Sequence, residues 1–264
     1  MLEFFTIIAP FVSLAEADAG YIAAVFARIS GMVFLLPGIG EQTVSGRVRL
    51  AIALSVTLIA YPIVRESFIQ PVELTQVILM QITIAEAITG LVIGLSFRMM
   101  VFVLQLAGSI IAQNASISQI FGQSVANDTQ TPISALFTLA GITLSLALGI
   151  HIEAMKLFIA SYEIFSFGEL TYLKEMALWV AEKGGAVFAL ALSLSAPFVA
   201  LGLAYNLIIG AANRAMPQLM VAFVGAPAIT GAGLILMALS VGIILETWYA
   251  ASHERFNLFD ITGM

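Results

Sequence analysis

Cysteine is missing from all 264 residues, which removes disulfides, thiolate ligands and a cysteine nucleophile and leaves the redox compartment undetermined. Histidine is nearly missing: His151 and His253 are the only imidazoles. A zinc site begun by His253 and Glu254 would need a second histidine where Asn257 stands, so the H-E-x-x-H pattern is broken. Charge is scarce, 10% of residues against about 25% in an average soluble domain. The ten Lys and Arg are scattered singly and the net charge is −6, which excludes a phosphate-neutralising surface and with it nucleic acid. The first twenty residues hold Glu3, Glu16 and Asp18 but no Lys or Arg; the positive n-region of a signal peptide is missing, and the N-terminus is expected to be retained. There is no G-x-S-x-G, and Gly38, Gly40, Gly231 and Gly233 lack the strand context and spacing of a nucleotide fingerprint. No enzyme, no metal and no cofactor are expected.

What is present is apolar: 61% of the chain is hydrophobic, the composition of an integral membrane protein. Apolar runs with few or no charges, bounded by the cost of a charge near the bilayer centre, locate helices. They are Leu2 to Ala15, Gly20 to Leu36, Leu50 to Val64, Val77 to Phe97, Met99 to Ile111, Pro132 to Ile150, Gly184 to Ala212 and Leu219 to Leu245. Strands are excluded by the length of the runs and the lack of period-2 alternation. The expected fold is all-α, a polytopic, membrane-protein-like set of helical hairpins forming a single domain over residues 1–264. Arg47, Arg49, Arg98 and the Lys156 to Lys183 region read as cytoplasmic, and the Val125 to Thr131 loop as external. Arg214 falls on the wrong side of that count.

Arg214 is also the only charge between Lys183 and Glu246, flanked by 30 and 31 uncharged residues. Helices of that length run to about 45 Å, against a hydrocarbon core of about 30 Å. Tilt, kinks at Pro197, Pro217 and Pro227, or burial against other apolar subunits would absorb the excess.

Two ionisable residues fall inside apolar runs, Arg28 and Glu86. Intramembrane charges face a cavity or a partner charge, so the pair reads either as a proton-coupled site or as an internal contact that fixes helix register. His151, at a run end, reads as an interfacial hydrogen-bonding residue or a relay. Gly90 and Gly94 form a G-x-x-x-G, which lets some other helix approach closely without saying which.

Against this background AGSIIAQNASISQIFGQSVAND, Ala107 to Asp128, stands out: nine Ser, Asn or Gln and no charge before Asp128. Its polar residues follow no clean helical face. One reading is a loop that satisfies its own backbone while Ile and Phe fill space, closing an aqueous passage; irregular backbone at membrane depth is tolerated when buried in protein or lining a cavity. The other is an ordinary exposed connection between helices.

Two further stretches carry a resemblance. ARISGMVFLLPGIGEQTVSGRVRLAIALSV, with Arg28, Gly31, Pro37, Arg47 and Arg49, and RAMPQLMVAFVGAP, Arg214 to Pro227, together resemble the FliR-type export-gate family of flagellar and type III secretion systems. The polar segment aligns with that family's A-G-x-I-I-x-x-Q-like segment, and Gly149 to His151 resembles its Gly-x-His turn. Two departures are visible: Asp128 is followed by Thr129, with the proline delayed to Pro132, and the proline often preceding the equivalent of Gly168 is absent.

The resemblance implies an all-helical subunit joining FliP and FliQ in a hetero-oligomeric gate, with FlhB and FlhA nearby. It implies a location in the bacterial inner (cytoplasmic) membrane at the flagellar basal body, in contact with lipid, passing unfolded flagellar export substrates. In the family much of this core is raised out of the bilayer, with hairpins buried against neighbouring subunits. A gating plug maps onto about Gly108 to Ser124: Ile117, Ile120 and Phe121 for the seal, Gln113, Asn114, Gln119 and Gln123 to hold it, with Gly108 at its base. Arg28, Glu86, His151, Arg214, Pro217, Gln218, Gly225 and Pro227 are the expected assembly or register residues. The rival is a small proton-coupled secondary transporter using Arg28, Glu86 and His151, although no repeat between the halves supports it. A third reading is an assembly factor outside the conduit.

Overall fold

The computed structural model of the chain describes residues 2–65, 76–115, 131–169, 171–215 and 221–256. All regular structure among them is helical: α1 (Leu2–Leu35), α2 (Gly46–Val64), α3 (Gln76–Asn114), α4 (Pro132–Ala147), α5 (Ile150–Ile164), α6 (Leu173–Ala215) and α7 (Val221–Arg255). The protein is therefore an all-α polytopic membrane protein. Among the described residues, four helices are long and apolar enough to cross a bilayer, within Gly46–Val64, Gln76–Asn114, Leu173–Ala215 and Gly225–Ser252. The pair α4 and α5, broken at Leu148 and Gly149, counts as a fifth span if taken together.

The helices differ from the apolar runs in an instructive way. Leu2 to Ala15 and Gly20 to Leu36 are one helix, α1, and Val77 to Phe97 and Met99 to Ile111 are one helix, α3. Helix α6 starts eleven residues before Gly184, at Leu173. Glu16, Asp18, Arg98 and Lys183 interrupt an apolar run, but none of them interrupts i to i−4 hydrogen bonding. A charge marks where lipid ends, and the helix continues past it.

Helix α5 is not among the runs at all, because Glu153, Lys156 and Glu163 divide its sequence. Its buried residues nonetheless recur at helical spacing, Ile150, Ala154, Leu157, Phe158, Ser161 and Tyr162. Gly149 caps its N-terminus at φ +85°, a left-handed conformation that glycine adopts without steric cost. Pro132 opens α4 just inside its first turn, where the missing N–H costs nothing. Thr131 is the cap, its side chain accepting from the Ser134 N–H at 3.2 Å. The delayed proline noted in the sequence is thus a helix-start signal.

Two compact units emerge. The first gathers the described residues of Met1–Arg98 with Gly149–Val180, the second those of Met99–Leu148 with Ala181–Asn257. In the first, α1 packs against α2, and α2 against α5. Buried Ala24, Ile29, Met32, Ile93, Phe158 and Phe165 form its core. The helix that uses the G-x-x-x-G of α3 is α1. A Cβ on Gly90 would run into the Arg28 backbone, and one on Gly94 into the Met32 carbonyl oxygen at 2.6 Å. Gly31 answers from the other side, lying against the Ala87 carbonyl and the Leu91 nitrogen. Because Arg28 faces Gly90 and Met32 faces Gly94, α1 and α3 run in the same direction, with matched i, i+4 rows in contact.

In the second unit, buried Val101, Leu104, Ala107, Ile111, Phe137, Phe198 and Trp248 form the core. Trp248 is fully buried and its indole Nε1 donates to the Met100 carbonyl at 2.7 Å; the ring lies over Gly141. Trp248→Phe keeps most of the ring and removes the donor. The expected loss is about 1–3 kcal/mol from the bond and the smaller volume, read as a lower unfolding midpoint of the purified protein in detergent.

Hydroxyls are handled locally. Thr57, Thr83, Thr89, Ser109, Thr138, Ser195, Thr230 and Ser240 each donate to the carbonyl four residues earlier, at 2.7–3.0 Å. That pattern lets a polar side chain sit in an apolar environment without a distant partner. Apolar surface on α2 (Leu58, Ile59), α6 (Leu207, Ile208) and α7 (Ile235, Leu239) points outward, as a chain made for lipid or for neighbouring subunits requires.

Candidate functional site

The first unit has a charged centre inside its core. Arg28, on α1, and Glu86, on α3, are both 0% exposed. The guanidinium meets the carboxylate in a two-pronged contact, Nε donating to Oε2 at 2.6 Å and Nη2 to Oε1 at 2.8 Å. Its other side is used as well: Nη1 donates to the Ser161 hydroxyl at 2.9 Å and Nη2 to the Phe165 carbonyl at 3.3 Å. The Tyr162 ring lies under the guanidinium carbon at 3.8 Å, a stacking arrangement suited to the planar, weakly hydrated arginine head.

Glu86 is equally occupied. Beyond arginine it accepts from the Gly168 N–H at 3.0 Å and the Tyr162 hydroxyl at 3.4 Å. Ser161 in turn donates to the Phe158 carbonyl at 2.6 Å. Gly168 sits at φ +74°, and that left-handed turn is what aims its N–H at the carboxylate. Four segments therefore converge on one ion pair: α1, α3, α5 and the turn after α5. Burying two charges costs several kcal/mol each unless geometry and further hydrogen bonds compensate, and here both conditions hold.

Sequence reasoning finds Arg28 and Glu86 but misses Ser161, Tyr162, Phe165 and Gly168. The signal for Ser161 and Tyr162 was the helical spacing of small and aromatic residues on α5; for Phe165 and Gly168 none was available, since their contributions are a backbone carbonyl and a backbone N–H. His151, grouped with Arg28 and Glu86 in the transporter reading, is exposed in the first turn of α5. At the end of the loop following α1, Glu41 pairs with Arg98 of α3, both about a fifth exposed, and Arg49 donates to the Val44 carbonyl at 3.1 and 3.2 Å.

The second unit holds the described part of the polar segment, Ala107 to Ala115, and the start of α4. Gly108, on α3, lies so close to α4 that a Cβ would meet the Ser134 Cα at 2.6 Å. The Ser134 hydroxyl donates to the Gln105 carbonyl at 2.7 Å. Gln113 is exposed, while Asn114 bonds back to the Ile110 carbonyl at 2.9 Å and meets Gly202 of α6. Ala115, fully buried, meets Gly233 of α7. Ile117, Gln119, Ile120, Phe121 and Gln123 lie outside the described residues, as do Pro217 and Gln218. Arg214 is exposed in the last turn of α6. Gly225 is buried against the Tyr205 ring and hydroxyl, and α7 continues through the exposed Pro227. No group of three or more His, Asp or Glu able to hold a metal occurs among the described residues.

Comparison with known proteins gives a consistent set of matches. The profile of the bacterial export proteins, family 1, matches residues 20–254. A flagellar biosynthetic protein FliR of Caulobacter vibrioides is 32% identical over 251 residues, covering 94% of this chain and 99% of that protein. Proteins of the same name from Bacillus subtilis and Escherichia coli are 26% and 23% identical, covering 83% and 88% of this chain and 85% and 88% of theirs.

Proposed function

The chain belongs to the bacterial export proteins, family 1, and from that membership we propose that it is a core subunit of the flagellar protein export gate. In this reading it assembles with FliP and FliQ, next to FlhB and FlhA, in the inner membrane at the basal body. Unfolded flagellar proteins pass through the assembly. The observation that carries the reading is the family match over almost the whole chain, joined by relatives named for flagellar biosynthesis that align nearly end to end. The family is one of export components, and catalysis is not part of the proposal.

The neutral polar segment is the proposed gating plug. A conduit for chemically varied unfolded chains has to avoid holding cargo by charge, and in its closed state has to stop ions. Ile117, Ile120 and Phe121 over a bed of Gln113, Asn114, Gln119 and Gln123 suit both demands. The triple change of Ile117, Ile120 and Phe121 to glycine is expected to leave the complex assembled and to raise ion conductance of the closed gate. An assembled triple variant with unchanged conductance overturns the plug.

The overlong helices fit the same reading. Helix α6 has 43 residues, of which the 30 from Gly184 to Asn213 are uncharged, about 45 Å at 1.5 Å per residue, against a hydrocarbon core of about 30 Å. Apolar length beyond the bilayer needs a protein neighbour, and exposed Leu207 and Ile208 near the end of α6 are candidates to meet it. Arg214, with Gln218 beside Pro217, is proposed to find its partners in such a subunit interface. Native mass spectrometry of the tagged chain from its own host in mild detergent tests this: a hetero-oligomer with two other small hydrophobic proteins is expected, and Arg214→Ala is expected to lower its yield. A partner-free monomer across gentle detergents overturns the assembly. The transporter alternative draws less support, since the guanidinium of Arg28 and the carboxylate of Glu86 satisfy each other and His151 is exposed.

A further inference from the structure

Where α3 ends, its last residue and the one after it are held from two sides by glycines where an added Cβ would crowd them. A Cβ on Gly202 of α6 would lie 2.9 Å from the Asn114 Oδ1, 3.2 Å from its Cβ and 3.2 Å from its carbonyl oxygen. A Cβ on Gly233 of α7 would lie 2.5 Å from the Ala115 Cβ. Both glycines sit inside helices, where glycine costs about 1 kcal/mol relative to alanine, so close approach is what they supply. Asn114 is further fixed by its bond to the Ile110 carbonyl at 2.9 Å, and Ala115 is wholly buried. The start of α4 is anchored on the same helix, through Ser134 against Gln105 and Gly108.

We propose that Gly202 and Gly233 form a seat for Asn114 and Ala115 that fixes where the polar segment leaves α3, making α6 and α7 the helices that set its position. These two glycines are positioning residues. Their bearing on ion flow rests on the plug reading above; the seat itself does not, and it is tested by position.

The two contacts differ in what can yield. At Gly202 the nearest atom is the end of an amide side chain, which can rotate at the expense of its bond to Ile110. At Gly233 the nearest atom is a β-carbon with no rotamer, so a methyl there has to displace Ala115 itself. In combination with Ala115→Gly, the nearest remaining atom is the backbone Cα at 3.4 Å, an ordinary contact.

The absence of cysteine makes the position readable. A single Ser118→Cys serves as reporter in the full complex in native membranes, labelled with a membrane-impermeant maleimide. Gly233→Ala is expected to change the labelling rate at least about fivefold, as local opening equilibria respond to changes of this size. Adding Ala115→Gly is expected to restore it. Gly202→Ala is expected to give a smaller change in the same direction. Gly210→Ala, at an α6 position with nothing within 4 Å of the added methyl, is expected to give none. An unchanged rate in assembled Gly233→Ala complexes, or a changed rate that Ala115→Gly leaves unrepaired, overturns the seat. If Gly233→Ala prevents assembly, recovery of both assembly and labelling rate by Ala115→Gly upholds the seat, and failure to recover overturns it. A glycine triple variant at Ile117, Ile120 and Phe121 that does not leak removes the plug and leaves this outcome untouched.

Discussion

Glu86→Ala is expected to be among the most damaging single changes in the chain. It leaves the Arg28 guanidinium fully buried with its two-pronged acceptor gone, retaining among the described residues the Ser161 hydroxyl, the Phe165 carbonyl and the Tyr162 ring. Removing one partner of a buried pair costs about 3–5 kcal/mol, a large fraction of the net stability of a folded domain. Arg28→Met is expected to be comparably harmful, since it strands a buried carboxylate with only the Gly168 N–H and the Tyr162 hydroxyl. The informative comparison is the double change, Arg28→Met with Glu86→Leu. Two apolar residues of similar volume leave no orphan charge, so the double variant is expected to recover part of the loss while still lacking the acceptor for Gly168. The amount of full-length protein in membranes, with the unfolding midpoint in detergent, measures all three. A double variant as poor as the sum of the singles would mean that the pair is not a coupled unit.

Gly90→Ala is the second large effect, and it reaches the same centre from the backbone. The three nearest atoms to the added methyl are the carbonyl oxygen, carbonyl carbon and Cα of Arg28, none of which can rotate away. Helix α1 has to move off α3, lengthening the contact between Arg28 and Glu86 that the close packing makes possible. Overpacking costs about 1–3 kcal/mol in ordinary cores and sometimes more, and here it adds to whatever the ion pair loses. The proper control is Gly184→Ala on α6, where nothing lies within 4 Å and the change is expected to be neutral or to add up to about 1 kcal/mol of helix stability. The two variants carry the same chemical change, so a difference in unfolding midpoint isolates the contact. Equal midpoints would place the tight packing of α1 on α3 in error.

How much of this was legible in the sequence depends on the kind of signal. The helical class and the run locations follow from composition, and two charges inside apolar runs single out Arg28 and Glu86, while the sequence leaves open whether each faces a cavity or the other. Helix continuity through Glu16 and Arg98 was not legible, because charge reports on solvent and helicity reports on backbone bonding. Helix α5 was hidden by its solvent face: Glu153, Lys156 and Glu163 fill the gaps between Ile150, Ala154, Phe158 and Ser161. That α1 fills the groove at Gly90 and Gly94 was out of reach, since a glycine pair announces a close neighbour without naming it. The seat at Gly233 was less accessible still, for a lone glycine in an apolar helix looks the same whether it faces lipid or a β-carbon.

The converging contacts on Arg28 also set an order of events during synthesis. Arg28 is made 58 residues before Glu86 and 133 before Ser161, and a lone arginine mid-helix costs about 2.5–3.5 kcal/mol on insertion scales. Helix α1 thus emerges from the ribosome as a poor candidate for settling in the bilayer by itself. At about 5–20 residues per second it waits some seconds for α3 to bring the carboxylate, and longer for α5 to bring the serine. A nascent chain halted before Glu86 carries Arg28 without the carboxylate that neutralises it in the finished fold.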